Sequence, residues 1–344
     1  MRRGSVLLAA VVGAAAGCAR TVATYEVVRD APIAGAAAAR ALPADDDSAL
    51  AAAFAPGVFR TGGITVPYRL LAPSAPSPGA RFPLVLILHG SNAIGEDNRA
   101  QLGPFAQTWA SPELRRRFAA FVVVPQSAAR SAVYGSDALD SLPSSEGTAS
   151  LDAALALVEH LMGLLPVDPR RVYVVGFSMG GSATWNSLLR RPGLFAAAVP
   201  IAGVPPSRAA AAALAGTPIL IVHGTADGQN RIAADRAMYS ALRRVGSRSA
   251  RFREYVGLDH RVPPDLFAGT AWRTWLFAQA RPARRERRRR AGLRRGAATR
   301  GPAERPRASC HVTRAAAYVA GRSCDPVTTH TSYGARQCKS SSPS

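Results

Sequence analysis

Apolar runs alternate with stretches of helical periodicity along the middle of the chain. The uninterrupted apolar runs at 84–88 and 119–124 are typical of strands that are buried on both faces of a sheet. We predict strands at 64–71, 84–88, 119–124, 171–175, 197–201, 218–222 and 250–256. We predict helices at 151–165, 181–190, 233–245 and 264–278. This alternation predicts an α/β fold, with a mostly parallel central sheet and helices on both faces.

The periodic pattern bounds one domain, which we assign to residues 56–280. Residues 19–55 are rich in Ala and carry an acidic run, and we predict a flexible tether there. Residues 126–148 have no period and are rich in Ser, Ala and Gly, so we expect a surface loop near the site. Residues 281–344 carry 16 basic and 3 acidic side chains, and we predict a disordered, Arg-rich tail.

The net charge of the chain does not alter the predicted fold, because most of this charge lies outside the predicted domain. The net charge of the 344 residues is +21, and most of it belongs to the tail. Such a tail suits anionic lipid or nucleic acid, but a non-functional extension is the interpretation we favour, and we do not expect a nucleic-acid partner. No cysteine lies between residues 19 and 309. The domain therefore has no disulfide, thiol nucleophile or thiolate metal site, and we expect no metal and no cofactor.

The N-terminus has the pattern of an export signal. Arg2 and Arg3 precede an apolar stretch at 6–16, which is too short to span a bilayer comfortably. The sequence Ala15–Cys18 is similar to a bacterial lipobox, so we predict a lipoprotein signal peptide over 1–18 with Cys18 as the lipidated residue. A plain cleaved secretory signal and an uncleaved apolar N-terminus are the alternatives. The lipoprotein interpretation places the protein in the cell envelope, anchored to the membrane by lipid, and a plain secretory signal would make it periplasmic or secreted.

The pentapeptide Gly176–Gly180 carries the chemistry and reads Gly-Phe-Ser-Met-Gly. It lies between the predicted strand 171–175 and the predicted helix 181–190, so Ser178 stands at the apex of a strand-turn-helix unit. A G-x-S-x-G turn in this position is a nucleophile elbow. Its glycines permit a chain reversal in which a Cβ would collide with neighbouring backbone, and the serine itself is strained. The pentapeptide therefore predicts Ser178 as a nucleophile.

A serine hydroxyl needs a general base, and the base needs a carboxylate that orients it. With the chain order Ser, acid, His, we predict His260 as the base because it lies in a loop between the last strand and the last helix. We predict Asp227 as the acid because it follows the strand 218–222 at the carboxyl edge of the sheet. Asp259 is the alternative acid, although adjacent side chains in a loop usually diverge.

An oxyanion would need two backbone N–H donors. We predict Met179, directly after the nucleophile, as one donor. Ser91 is our second donor, in a loop where Gly90 lets the backbone approach a substrate closely. Asn92 and Trp185 are candidates for substrate binding, and packing of the elbow helix is the alternative role of Trp185.

These residues together resemble the branch of the α/β-hydrolase superfamily that holds carboxylesterases, phospholipase/carboxylesterases and dienelactone hydrolase-like proteins. The matching segments are 83–90, 95–98, 122–126, 168–181, 196–201 and 223–227. The resemblance covers roughly residues 82–278 and implies that Ser178, Asp227 and His260 are nucleophile, acid and base. The loop at 90–95 lacks the extra glycine and the arginine that are usual in this branch, which affects substrate preference more than the chemistry.

We therefore expect an exported serine hydrolase that cleaves small-molecule carboxylic esters through a Ser-His-Asp triad and an acyl-enzyme. One alternative is a serine peptidase of prolyl-oligopeptidase-like type, although the chain shows no propeller and no large cap. The other is a non-catalytic surface lipoprotein that retains the fold. An intact triad favours the enzyme over this last alternative.

Overall fold

Nine strands of the described residues form one sheet, and the computed structural model describes residues 25–29, 49–74 and 78–283. The strands are β1 (Tyr25–Val28), β2 (Ala55–Thr61), β3 (Ile64–Leu71), β4 (Phe82–Leu88), β5 (Phe121–Pro125), β6 (Ala132–Ser136), β7 (Pro143–Gly147), β8 (Val167–Phe177), β9 (Ala197–Ile201), β10 (Ile219–Gly224) and β11 (Ala250–Tyr255). Their order is β1-β11-β10-β9-β8-β4-β5-β3-β2, and β6 pairs separately with β7. All neighbours in the large sheet are parallel except β2 with β3 and β3 with β5. The predicted α/β fold with a mostly parallel sheet is confirmed.

Helices connect the parallel strands, as right-handed crossover connections require. They are α1 (Pro104–Gln107), α2 (Pro112–Arg117), α3 (Ala149–Leu164), α4 (Met179–Arg190), α5 (Ala211–Leu214), α6 (Ala233–Arg244), α7 (Asp265–Ala268) and α8 (Ala271–Phe277). The predicted helices at 151–165, 181–190 and 233–245 correspond to α3, α4 and α6.

Alternate side chains of the apolar strands belong to two separate core clusters. On β4, Leu84 and Leu86 pack in the first cluster, with side chains of α3, α4 and α6. Val85 and Ile87 pack in the second, with side chains of α1, α2 and α8. Successive side chains of a strand point to opposite faces, so the two clusters cover the two faces of the sheet. This double burial explains why the strands appear in the sequence as uninterrupted apolar runs.

The predicted tether at 19–55 is wrong for its described residues. Residues 25–28 form β1, which extends the sheet beyond β11. The ring of Tyr25 packs against Tyr239 and Phe252, with centroids 5.5 and 5.3 Å apart, and Phe54 is fully buried. The folded domain therefore begins before residue 56. A four-residue strand between Ala-rich segments has too short an apolar pattern to be recognised in the sequence.

Two further expectations need correction. The segment 126–148 is not an irregular loop, because β6 and β7 pair within it as an antiparallel hairpin. The helix predicted at 264–278 is interrupted at Gly269, where a Cβ would stand 1.8 Å from the carbonyl oxygen of Asp265. The buried guanidinium of Arg273 donates to the carbonyls of Leu266 and Gly269 at 3.2 and 2.7 Å. The backbone of Gly269 is extended, with φ −62° and ψ 132°, so the helix ends there, and Arg273 binds two of the carbonyls at the break.

The two ends of the chain lie largely outside the described residues. The predicted signal peptide at 1–18, Cys18 and the tail from residue 284 fall there. Arg281, the first residue assigned to the tail, is fixed to the sheet because its N–H donates to Arg170 O at 2.9 Å. Among the helices that the structure describes, none is both long and apolar enough to span a bilayer.

Candidate active site

The turn between β8 and α4 places Ser178 at the carboxyl edge of the sheet, and β8 is the middle strand of the nine. Ser178 has φ 58° and ψ −120°, and its N–H donates to Ile201 O at 2.9 Å. A positive φ is strained for a residue with a side chain and costs ~1–3 kcal/mol. The two glycines of the motif allow neighbouring backbone segments to pack closely around the turn. A Cβ at Gly176 would lie 2.3 Å from Gly180 O, and one at Gly180 would lie 2.0 Å from Leu88 O.

Replacing Gly180 with Ala is therefore expected to destabilise the fold by about 3 kcal/mol, at the upper end of the cost of forcing extra atoms into a packed site. The obstacle is the backbone of Leu88 and His89, which cannot rotate away as a side chain can. Urea unfolding of the variant measures the loss. Gly163→Ala is the matched control, because an added Cβ there meets nothing within 4 Å on α3. The control should gain up to ~1 kcal/mol from helix propensity. Equal stability of Gly180→Ala and the wild type would contradict this account of the turn.

The structure brings Ser178, His260 and Asp227 together. Ser178 Oγ lies 2.8 Å from His260 Nε2, and His260 Nδ1 lies 2.7 Å from Asp227 Oδ2. The imidazole of His260 reaches the serine from the loop after β11, and Asp227 lies in the loop after β10. Three groups from separate loops at one edge of a parallel sheet thus form a continuous hydrogen-bonded chain. Asp259, the alternative acid, instead pairs with the neighbouring guanidinium of Arg261.

The carboxylate of Asp227 is buried and accepts hydrogen bonds at both oxygens. Oδ1 accepts from the backbone N–H groups of Gln229 and Asn230 at 2.9 and 2.8 Å. Oδ2 faces His260, and His223 Nε2 lies 3.2 Å from the same oxygen. Burial raises the pKa of Asp227, but the hydrogen bonds from His223, His260 and Asn230 outweigh it and lower that pKa to about 2. The group is therefore an anion across the range in which His260 needs a partner.

Behind Asp227 lies a second buried pair, which the sequence did not predict. His223, at the end of β10, directs Nδ1 to Asp235 Oδ2 at 2.7 Å. Asp235 is fully buried on α6, and its Oδ1 accepts from Trp185 Nε1 at 3.2 Å. The prediction that Trp185 binds substrate is wrong, since its side chain is fully buried in a core cluster. Its alternative role, packing of the elbow helix, agrees with this position.

The predicted oxyanion donors lie on either side of the nucleophile. Met179 is the first residue of α4, and the first N–H groups of a helix have no partner within it. Ser91 begins a short 3₁₀ turn at 91–93. The neutral imidazole of His89 supports this loop from behind, since Nδ1 lies 2.8 Å from Gly90 O and Nε2 accepts from the N–H of Ser127 at 3.0 Å. Burial lowers the pKa of His89 and keeps the ring uncharged. The geometry leaves both donor assignments as predictions.

A cavity of about 220 Å³ opens beside the three groups. Asn92, a predicted substrate-binding residue, lines it together with Gly90, Phe105, Phe177, Val262 and Phe267. The Phe177 ring lies 5.0 Å from the His260 ring, which joins the cavity to the hydrogen-bonded chain. None of its lining residues is Asp, Glu, Lys or Arg. Across residues 25–29, 49–74 and 78–283, no group of three or more His, Cys, Asp or Glu side chains is arranged to hold a metal ion.

Comparison with known proteins agrees with this geometry. Residues 118–261 match the Dienelactone hydrolase family, a segment that contains Ser178, Asp227 and His260. A protein from Nocardia uniformis subsp. tsuyamanensis, named as the esterase NocK, is 30% identical over 230 residues, which are 66% of this chain and 64% of that protein. A protein from Oryza sativa subsp. japonica, named as the carboxylesterase Os04g0669600, is 30% identical over 194 residues, which are 51% of this chain and 80% of that protein.

The fold is also similar to that of a solved structure. The crystal structure of a thermostable esterase superposes with a TM-score of 0.60 and 27% sequence identity. The match covers 68% of this chain and 64% of that one. The chain thus spans slightly less than two thirds of both NocK and the thermostable esterase.

Proposed function

This chain belongs to the dienelactone hydrolase family of the α/β-hydrolase superfamily. We propose that it is a serine hydrolase that cleaves carboxylic esters. One observation carries the proposal: the unbroken chain of hydrogen bonds from Ser178 through His260 to Asp227. Ser178 attacks the acyl carbonyl while His260 takes its proton, and Asp227 orients the imidazole and stabilises its cation. His260 then activates water, which releases the acyl group from Ser178.

In this proposal the negative charge that develops on the carbonyl oxygen is held by the N–H groups of Met179 and Ser91. Both assignments are supported by position, since Met179 directly follows Ser178 and Ser91 lies three residues after the end of β4 at Leu88. A third support is Gly90, where an added Cβ would stand only 3.7 Å from Ser178 Cβ. The loop is therefore close enough for its backbone to reach a reacting carbonyl. Losing one such donor typically costs ~10²–10³ in turnover.

The cavity supports a compact, uncharged substrate group. An apolar cavity of about 150 Å³ is enough to bind benzene, so about 220 Å³ accommodates a ring or a short chain, and a long fatty acyl chain would extend beyond it. Phe105 and Phe267 meet edge to face, with centroids 5.9 Å apart, and offer an aromatic wall. A charged group would lose its hydration here without gaining a partner. We propose short-chain or aromatic esters as the substrates. We also propose, from the pattern of the N-terminal sequence, that the protein is exported and lipid-anchored at Cys18.

Fluorophosphonate labelling and a matched substrate series test this function. The folded protein should label, and kcat/KM should be higher for acetate to hexanoate and benzoate p-nitrophenyl esters than for the palmitate. For one acyl group, the p-nitrophenyl ester should turn over faster than the p-nitroanilide. A folded protein that does not label would favour the non-catalytic lipoprotein. Turnover of the anilide equal to that of the ester would favour the peptidase.

A further inference from the structure

His223 has an oxygen acceptor at each of its ring nitrogens. Nδ1 lies 2.7 Å from Asp235 Oδ2. Nε2 lies 2.8 Å from Asn230 O and 3.2 Å from Asp227 Oδ2. A neutral imidazole carries a single N–H, so one nitrogen would face an oxygen with no proton between them. The pair formed by His223 and Asp235 must therefore hold one proton more than a neutral ring and a carboxylate.

That extra proton lies between Nδ1 of His223 and Asp235, and in either position Nε2–H is left to face Asn230 O and Asp227 Oδ2. Burial disfavours the charged ring, but the hydrogen bonds to Asp227 and Asp235 outweigh it and raise the pKa of His223 to about 10. Burial raises the pKa of Asp235 as well. Both directions agree with a pair that keeps its proton at neutral pH.

Other charges surround His223 at close range. Glu254 stands opposite it on β11, and Arg236 neutralises Glu254 with two bonds of 2.7 and 2.8 Å. The hydroxyl of Tyr25 also donates to Glu254. Beyond Asp227 lie His260 and Asp259, and the latter is paired with Arg261. Asp227 and Asp235 are therefore the carboxyl groups without a guanidinium partner that touch His223, which is why the pair of His223 and Asp235 keeps the extra proton.

We infer that His223 and Asp235 form a second relay behind the triad, in which His223 is a positioning residue that donates a hydrogen bond to the same oxygen of Asp227 that holds His260. Asp235 in turn fixes His223, and Trp185 ties Asp235 to the elbow helix α4. The acid loop and the nucleophile are thereby linked through buried polar contacts as well as through the sheet. The kinetic consequence of this inference rests on the proposed function, but the extra proton on the pair of His223 and Asp235 does not.

The relay matters because the position of the Asp227 carboxylate sets the position of the base. Two backbone N–H groups fix Oδ1, and without His223 the other oxygen would be held by His260 alone. A misplacement of ~1 Å in a catalytic group costs about 10²-fold in rate. Removal of the His223 donor should therefore lower kcat and leave KM almost unchanged, since the lost contact does not touch the substrate.

Variants at positions 223 and 235 test this role. His223→Gln retains an N–H donor at this position. His223→Leu removes that donor and keeps a similar volume, and it is combined with Asp235→Asn so that no buried carboxylate at position 235 is left without a partner. We expect kcat for p-nitrophenyl acetate to fall about 10- to 100-fold in the double variant and much less in His223→Gln. His160→Gln on the exposed face of α3 is the control and should match the wild type. Equal kcat in the glutamine and double variants, or wild-type kcat in a folded double variant, would overturn the donor role.

The proton of the pair has a readout that needs no catalysis. A folded-state pKa raised from 6.5 to about 10 contributes stability that is complete below pH 6.5 and is lost as the pH rises through about 10. The urea midpoint of the wild type should therefore fall across this window, and that of His223→Gln should fall less. The Ser178→Ala background should show the same decline, so a failure of the relay and a failure of the proposed function are separable. A wild-type midpoint that stays flat across the window would overturn the extra proton, even if the double variant does not fold.

Discussion

Replacing Ser178 with Ala is expected to lower kcat for ester hydrolysis by about 10⁶-fold, the loss typical of a serine hydrolase without its nucleophile. The methyl group of Ala cannot form an acyl-enzyme, and His260 loses the hydroxyl that lies 2.8 Å from Nε2. Fluorophosphonate labelling should disappear with the activity. The fold should survive, because the strained turn depends on the glycines around residue 178 and not on its hydroxyl. Hydrolysis of p-nitrophenyl acetate and thermal unfolding measure both outcomes.

Ser141→Ala is the matched control for this substitution. Ser141 also has φ 58°, and it lies in the exposed turn between β6 and β7. Both variants therefore replace a serine at a position of positive φ, and the control should keep wild-type activity. Wild-type turnover in Ser178→Ala would end the proposed mechanism. A comparable loss in both variants would instead trace the effect to the backbone.

The elbow was predictable because its geometry leaves few residue types to choose from. Gly176 and Gly180 stand where a Cβ would collide with backbone, so the glycines follow from sterics alone. The flanking strand and helix have strong periodicity, and a parallel sheet brings the ends of its strands to one edge. Asp227 and His260 could be predicted from that edge and from chain order, without knowledge of any contact.

The features that the sequence analysis did not predict were missed for physical reasons. Strand β1 depends on tertiary contacts of Tyr25 with Tyr239 and Phe252, which four residues of sequence cannot indicate. The hairpin of β6 and β7 is largely polar, and one of its inward side chains, Ser145, is held by Val204 O at 2.6 Å. Such a strand has no apolar alternation to reveal it. His223 was visible only as a histidine at the end of a strand, because its meaning depends on Asp235 twelve residues later.

Replacing Asp227 with Asn is expected to lower kcat by about 10⁴-fold, as when the acid of a serine triad becomes an amide. Two imidazoles direct N–H groups to Asp227 Oδ2, at 2.7 Å from His260 and 3.2 Å from His223. The neutral amide cannot stabilise the cation that forms on His260. It also offers a donor on one side, which favours the wrong tautomer of His260 for accepting the Ser178 proton. Steady-state kinetics with p-nitrophenyl acetate measures the loss, and KM should change much less than kcat.

The loss should also exceed that from removing the His223 donor, because His223 acts only by holding the carboxylate that Asp227→Asn removes. Asp259→Asn is the matched control: its carboxylate is exposed, adjoins His260 in sequence and pairs with Arg261. A surface ion pair contributes only ~0–1 kcal/mol, so the control should keep both its activity and its stability. The opposite ranking, with Asp259→Asn inactive and Asp227→Asn active, would make Asp259 the orienting acid. Nε2 of His260 faces Ser178, so the ring has only Nδ1 with which to bind a carboxylate. Only one of Asp227 and Asp259 can therefore be the acid that orients His260, and loss of that role can explain inactivity in only one of the two variants.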